Sequence, residues 1–290
     1  MRSTHLSAFL ACAFLAVGPC LASDHGDTPL LRDIGRNDAR LTDLYAFQRG
    51  TDLVIVVGVD PSVPETATSW ILPSDVQIRI MIDNDSEVTF DDAQDLTKFG
   101  GTIAQPDKIL EDVAFKVRRD DDGELRLNAQ GLRGSKDDIL FFAGLRDDPF
   151  IRAPRTGRNV GAIVVSIPMA RILGDQDTLL LWATSAVDGV HGPFQELAGR
   201  ALRSMFPEND LFNVSRPRKH LLELGVQPDV MIYDTSRAAA FPNGRELADD
   251  VVDLVGDERV LANDAPFPVS NDIPWLPDFP YLPEPHAASD

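Results

Sequence analysis

Two apolar runs constrain this chain more than any other feature: AIVVSI (Ala162 to Ile167) and TLLLWATSAV (Thr178 to Val187). Both are apolar almost throughout and offer no polar face to water. Such strands must be covered on both sides, so they are expected at the centre of a layered sheet structure. Other segments alternate with period two, as half-buried strands do. VQIRIMI puts Val76, Ile78, Ile80 and Ile82 on one face. In AFKVRRDDDGELRLNA, Phe115 and Val117 alternate on one arm and Leu125 and Leu127 on the other. Asp122-Gly123 between them is a hairpin-turn pair. DLYAF, the connection QRGT and DLVIVVGV predict a second hairpin.

Helical spacing comes later. Phe194, Leu197, Ala198, Ala201, Leu202 and Met205 recur at steps of three and four behind Pro193, predicting a helix. RKHLLELG predicts a second, ending at Gly225. GRELADDVVDLVGD predicts a third, with Val251, Leu254 and Val255 as its apolar side. The segment from Ala265 to Asp290 carries seven prolines, which exclude a regular helix or a central strand. Its Phe267, Trp275, Phe279 and Tyr281 suggest an extended strap across the body, with a loose end. The expected fold class is mainly β: an antiparallel β-sandwich with helical additions in the C-terminal half. No repeat or linker divides it, so residues 23–265 are expected to form one domain, followed by the Pro-rich strap 266–290.

Residues 1–22 read as a secretory signal peptide, with one arginine, an apolar run from Leu6 to Val17 and cleavage after Ala22. That run is shorter than the roughly 18 residues of a membrane span, and no later stretch is apolar enough. A lipoprotein anchored at Cys20 is the alternative, although Pro19 stands where a small residue is expected. Either way the protein is expected in the periplasm or outside the cell. Cys12 and Cys20 both fall in the leader. The remainder therefore offers no disulfide, thiolate metal site or haem-attachment motif. The formal charge is −19, and −20 once Arg2 is removed. So acidic a chain repels nucleic acid and anionic lipid, and favours a basic or cationic partner or plain solubility.

No nucleotide-binding glycine loop, nucleophile elbow or HExxH motif is present. His191, His220 and His286 are isolated from one another and read as surface or packing residues. Acidic clusters at strand ends are the notable chemistry. IDNDSEVTFDDAQD follows the VQIRIM strand with Asp83, Asp85, Glu87, Asp91, Asp92 and Asp95. Close carboxylates in a loop can supply several of the oxygens Ca²⁺ needs. The EF-hand register fails at Val88 and Gln94, which leaves a non-EF loop site or an acidic turn capping backbone amides. GLRDDPF offers Arg146 to neutralise Asp147 or Asp148, and FPNGRELADDVVD opens on a Pro-Asn-Gly turn. Asp249 and Asp253 would share a helical face there. SDHGDTPL, behind the leader, sets His25 between Asp24 and Asp27.

SDHGDTPL, TDLYAF, MIDND, LRDDPF and FPNGRELADDVVD occur in that order between Ser23 and Asp253. Together they resemble a bacterial exported family designated domain of unknown function 4331. The family's Arg-Glu-Ala after the histidine is replaced by Gly26-Asp27-Thr28, which keeps the acid and loses the positive charge. The resemblance carries no reaction, and it implies a grouping of His25, Asp27, Asp43, Asp83, Asp148, Asn243, Arg245 and Asp250. A neutral imidazole with carboxylates suits Mn²⁺, Fe²⁺ or Zn²⁺; carboxylates and carbonyls alone suit Ca²⁺. The same residues could instead form a salt-bridge and capping network that fastens the N-terminal segment. Two functions stand open. One is an exported acidic binding protein holding a divalent cation, calcium or manganese, through loop carboxylates; the other is a periplasmic metal-dependent hydrolase or oxidoreductase accessory using His25.

Overall fold

Alternation becomes pairing in a computed structural model that describes residues 29–135, 137–151, 157–190, 196–200, 213–255 and 270–287. The strands in chain order are β1 (Leu41–Arg49), β2 (Asp52–Val59), β3 (Val76–Asp83), β4 (Val88–Thr89), β5 (Thr102–Ile103) and β6 (Val113–Arg119). They continue with β7 (Leu125–Gln130), β8 (Leu140–Asp147), β9 (Asn159–Pro168), β10 (Thr178–Val187), β11 (Glu196–Ala198) and β12 (Met231–Asp234). Helices are short: α1 (Pro29–Asp33), α2 (Ala93–Phe99), α3 (Pro217–Leu224) and α4 (Val251–Val255).

Both expected hairpins form. β1 and β2 pair through Gly50-Thr51, with Arg49 opposite Asp52. β6 and β7 pair with Val117 opposite Leu127, and the Asp120 carboxylate accepts the Asp122 and Glu124 amides across the turn. The two apolar runs take the central positions their composition demands. β9 lies between β2 and β8 in a four-stranded sheet ordered β1-β2-β9-β8. β10 has β3, β6 and β7 on one side; its other edge pairs with β12 at its start and β11 at its end. All these pairings are antiparallel, and the architecture is a mainly-β sandwich.

Period two sorts the side chains into layers. Leu44, Ala46, Ile55 and Val165 of the first sheet meet Ile78, Ile80, Phe115 and Leu181 of the second in the main core. Their neighbours Tyr45, Phe47, Val54, Val56 and Val164 face outward on the first sheet. That outer face is covered by Leu247 and by Trp275, Phe279, Tyr281 and Leu282 of the Pro-rich segment. Arg49 holds this cover, stacking 4.3 Å from the Phe47 ring and 5.8 Å from Tyr281 while forking onto Glu246. On the second sheet's outer face, Met81, Leu180, Trp182 and Ile232 pack with Ile103 and Ile109.

Three expectations change. Glu196–Ala198, expected as helix, is strand β11, and the rest of that predicted helix lies outside the described residues. The free edge of β10 satisfies its backbone there. Leu197 and Ala198 then point to opposite sides, one into the outer cluster and one into the main core. The third predicted helix begins only at Val251 (α4), because Asp249 lies in a turn, accepting the Phe241 and Glu246 amides; its predicted last two residues, 256 and 257, lie outside the described residues. The strap's end is not loose as far as His286, whose backbone is held by Asn159.

The turn ahead of α4 explains where this chain goes. Gly244 donates its amide to the Ile232 carbonyl of β12 at 2.8 Å. Arg245 exchanges both backbone hydrogen bonds with Ala46 of β1. One tight turn therefore joins the edges of both sheets, and only glycine suits its centre. Gly244 has φ 66, and a β-carbon there would stand 2.7 Å from the Ala46 carbonyl oxygen. Gly244→Ala is expected to cost about 2 kcal/mol or more, from left-handed backbone plus displacement of β1. Urea denaturation of the two proteins measures it; equal midpoints would show that the turn relaxes freely.

Candidate metal centre

Polar side chains gather in three groupings, and they do different jobs. The first surrounds Arg245, which is fully buried. Arg245 follows the Gly244 turn onto the outer face of β1, where Asp43, Tyr45 and Phe47 share one side of the strand. Its Nη2 lies 3.0 Å from Asp43 Oδ1 and donates to the Tyr45 hydroxyl at 3.1 Å. The guanidinium lies 4.0 Å from the Tyr45 ring centre and 5.7 Å from Phe150. Asn243 shapes the turn itself, accepting the Asp234 amide and donating to the Asp234 and Ala238 carbonyls. This grouping is a buried ion pair inside an aromatic cage, fastening FPNGR to DLYAF.

The second grouping follows β3. The β3 strand ends at Asp83, whose carboxylate accepts the amides of Asp85, Ser86 and Leu110 and the Ser86 hydroxyl. Asp85 and Asp112 stand beside it, and ligand oxygens of all three lie within 4.8 Å of one another. Although Asp112 is exposed, partial loss of solvation, and then the carboxylates of Asp85, Asp83 and Glu111, push its carboxyl above the usual range, against the Asn84 amide that it accepts. Among the described residues no ion pair involves any of the three. A cavity of about 370 Å³ opens here, lined among others by Asp85, Glu87, Gln105, Lys108 and Asp112.

The third grouping gathers at the end of β8. Asp147, the last residue of that strand, is fully buried and lies opposite Asn159 in register. His286 Nε2 approaches Asp147 Oδ1 at 2.8 Å and Asp272 Oδ2 at 3.3 Å. Asn271 donates to the other Asp147 oxygen at 2.5 Å, and the Gly157 amide donates to Asp272 at 2.7 Å. Burial pushes the Asp147 carboxyl up to about 6, opposed by the Asn271 hydrogen bond; Asp272 raises it further while His286 draws it back. One imidazole and two carboxylates within 4.8 Å could hold a metal ion, as could Asp83, Asp85 and Asp112.

Of the residues singled out in sequence, Asp43 and Arg245 are brought together, with Asn243 in the supporting turn. Asp83 and Asp85 form a separate cluster with Asp112. Asp43, Asp148 and Asp250 belong to neither carboxylate cluster among the described residues. Asp148 is buried and accepts the Phe150 amide; Asp250 begins the turn into α4, its carbonyl accepting from Leu254. His25 and Asp27 lie outside the described residues, as does His191. Arg146 does not neutralise Asp147 or Asp148. It stacks 4.4 Å over Phe142 and pairs with Glu284, since strand alternation turns Arg146 and Asp147 to opposite sides. His220 is a packing histidine: Nδ1 accepts the Asp229 amide, and Nε2 lies 3.3 Å from the Ser215 carbonyl. His286, Asp147 and Asp272 were missed as a set. They lie far apart in sequence, and the only signal was a histidine in a Pro-rich segment bearing its own Asn-Asp pair.

Two outcomes are expected. Arg245→Met leaves Asp43 buried without its guanidinium partner and should cost about 3–5 kcal/mol, with the Asp43→Asn/Arg245→Met double variant recovering part of it. Denaturant titration measures both, and a cost below 1 kcal/mol, about what a surface pair contributes, would contradict the buried pair. The second concerns pH in metal-free protein. The native Asp147 pKa lies above the ordinary 3.8, so the folded state binds this proton more tightly. Its contribution is greatest below about pH 4 and is lost as pH rises through about 6, leaving a cost of roughly 2–3 kcal/mol at neutrality. Asp147→Asn should therefore gain stability relative to the parent between pH 4 and 7.5; a pH-independent difference would show a normally titrating carboxyl.

No family model, curated protein or solved structure matches this chain.

Proposed function

We propose that this protein is an exported, acidic binding protein that holds a divalent cation through the loop carboxylates after β3. The observation that carries the reading is the convergence of Asp83, Asp85 and Asp112, the last two lining a cavity, with no ion pair to any of them among the described residues. Like charges held this close repel, and a bound cation converts that repulsion into ligation. An all-oxygen donor set suits a hard ion, calcium first and manganese second. Glu87 and Gln105 line the same cavity and can add oxygens. Asp83 serves as the rigid member, since four donors already fix its carboxylate in place.

The export half of the proposal is supported by the leader-like residues 1–22, the formal charge of −19 and the absence of cysteine after residue 20. The ordered motifs resembling the exported family designated domain of unknown function 4331 point the same way. No helix among the described residues is long and apolar enough to cross a membrane. The test is thermal denaturation of chelator-treated protein titrated with CaCl₂ and, separately, MnCl₂. The melting temperature should rise with the ion, by an amount equivalent to about 2.7 kcal/mol at a hundredfold excess over Kd, and fall back with chelator. Asp85→Asn/Asp112→Asn should lose the response. An unchanged melting temperature with both ions would remove the cation from the proposal.

A further inference from the structure

The strap junction has a different donor chemistry from the β3 loop, and its geometry is not that of a simple ion pair. Asp147 Oδ1 and His286 Nε2 are 2.8 Å apart and both shielded from solvent, yet neither makes a hydrogen bond. An imidazole that merely donated to this carboxylate would aim its N–H along the line between the two atoms. Here the close approach makes no hydrogen bond. Two buried polar atoms left in this state are costly, unless both are directed at a third body.

The distances suit such a body. Donors about 2.1 Å from one ion stand roughly 3.0 Å apart in an octahedron and roughly 3.4 Å apart in a tetrahedron. The observed separations are 2.8 Å from His286 to Asp147 and 3.3 Å from His286 to Asp272. Charge agrees as well. Two carboxylates and a neutral imidazole carry a formal −2, and the nearby Arg146 is committed to Glu284 and the Phe142 ring.

The surroundings hold these donors as ligand supports do. Asn271 takes up Asp147 Oδ2 and leaves Oδ1 turned to the histidine. Asn271 also donates to the Ile273 carbonyl, fixing its own amide. The Gly157 amide orients Asp272. Asn159 clamps the His286 backbone from both sides, accepting its N–H at 2.8 Å and donating to its carbonyl at 3.2 Å.

We propose that Asp147, Asp272 and His286 form a site for a zinc-type divalent transition metal that fastens the Pro-rich strap to the end of β8. Imidazole with carboxylates is the donor set such ions take, and three protein ligands leave a position for water or an exchangeable ligand. Asp272 comes from one end of the strap and His286 from the other, so a single ion closes the loop between them. That loop carries Trp275, Phe279, Tyr281 and Leu282, which cover Tyr45 and Phe47. A clip across a loop stabilises by restricting the open state, so the ion governs how long the aromatic cover stays down. This site is independent of the β3-loop proposal and shares no residue with it.

The test uses the full chain, stripped with chelator and titrated with ZnCl₂ by calorimetry, with hydrogen exchange followed over residues 270–287. Saturable one-to-one binding is expected, with slower exchange across the strap when zinc is present. His286→Gln and Asp272→Asn should each weaken zinc binding by at least about tenfold, the least that loss of a mere supporting partner costs, while leaving the far-ultraviolet circular dichroism unchanged. Two variants are used so that a folding defect in one leaves the other decisive. Asp85→Asn/Asp112→Asn should retain zinc affinity, which separates failure here from failure of the loop site. Any one of three results overturns the proposal: no saturable binding below millimolar zinc, undiminished affinity in both strap variants, or zinc binding without slower strap exchange.

Discussion

The sandwich depends on a short turn that belongs to neither sheet. Gly244 gives its amide to β12, and Arg245 exchanges two hydrogen bonds with β1, so consecutive residues close the edges of opposite sheets. An open sheet edge is a row of unpaired donors and acceptors, and here the edge is covered by the protein's own chain. The Arg245 guanidinium then crosses Tyr45 to reach Asp43, a buried pair whose partners sit 202 positions apart in number, from 43 to 245. Desolvating both charges is expensive, and the aromatic cage and the hydrogen bond to the Tyr45 hydroxyl offset part of that cost. What the pair specifies is placement: it works only when the turn, β1 and Phe150 are all in position.

From that fixed edge the rest of the architecture follows outward. The turn delivers Glu246 to Arg49 and Leu247 to the outer face of the first sheet. Arg49 carries its charge over Phe47 and Tyr281, so the same arginine anchors the post-turn segment and the strap. The strap then ends beside β8, where Asp147 meets Asp272 and His286. The edge turn, the aromatic cover and the junction are thus three successive fastenings of C-terminal chain onto one face of the sandwich.

The strands were legible in the sequence because period two and continuous apolarity are local properties. VQIRIMI, AIVVSI and TLLLWATSAV declare their positions without reference to anything distant. Glu196–Ala198 was misread because three residues fit either period; only the free edge of β10 decides between them. The GRELADD segment was misread because its helical spacing was real, yet the Gly244 amide is taken by β12, both backbone groups of Arg245 by β1, and the Glu246 amide by the Asp249 carboxylate. The carboxylate pair Asp83 and Asp85 could be seen because it is contiguous, whereas Asp112 joins it only through the β3–β6 pairing. Asp147, Asp272 and His286 have no shared local pattern at all. Their proximity is a product of tertiary packing, and a lone histidine among prolines carries no sign of it.

Asp147 and Asn159 are directly opposed across β8 and β9, one supplying a donor oxygen and the other gripping the His286 backbone. Side chains alternate with every residue, so a slip of one position between these strands would send the carboxylate to the other face while the clamp stayed behind. The junction can therefore assemble in one register only. It acts as a checksum on the edge pairing of the first sheet, and a chain that has closed it has already aligned β8 against β9.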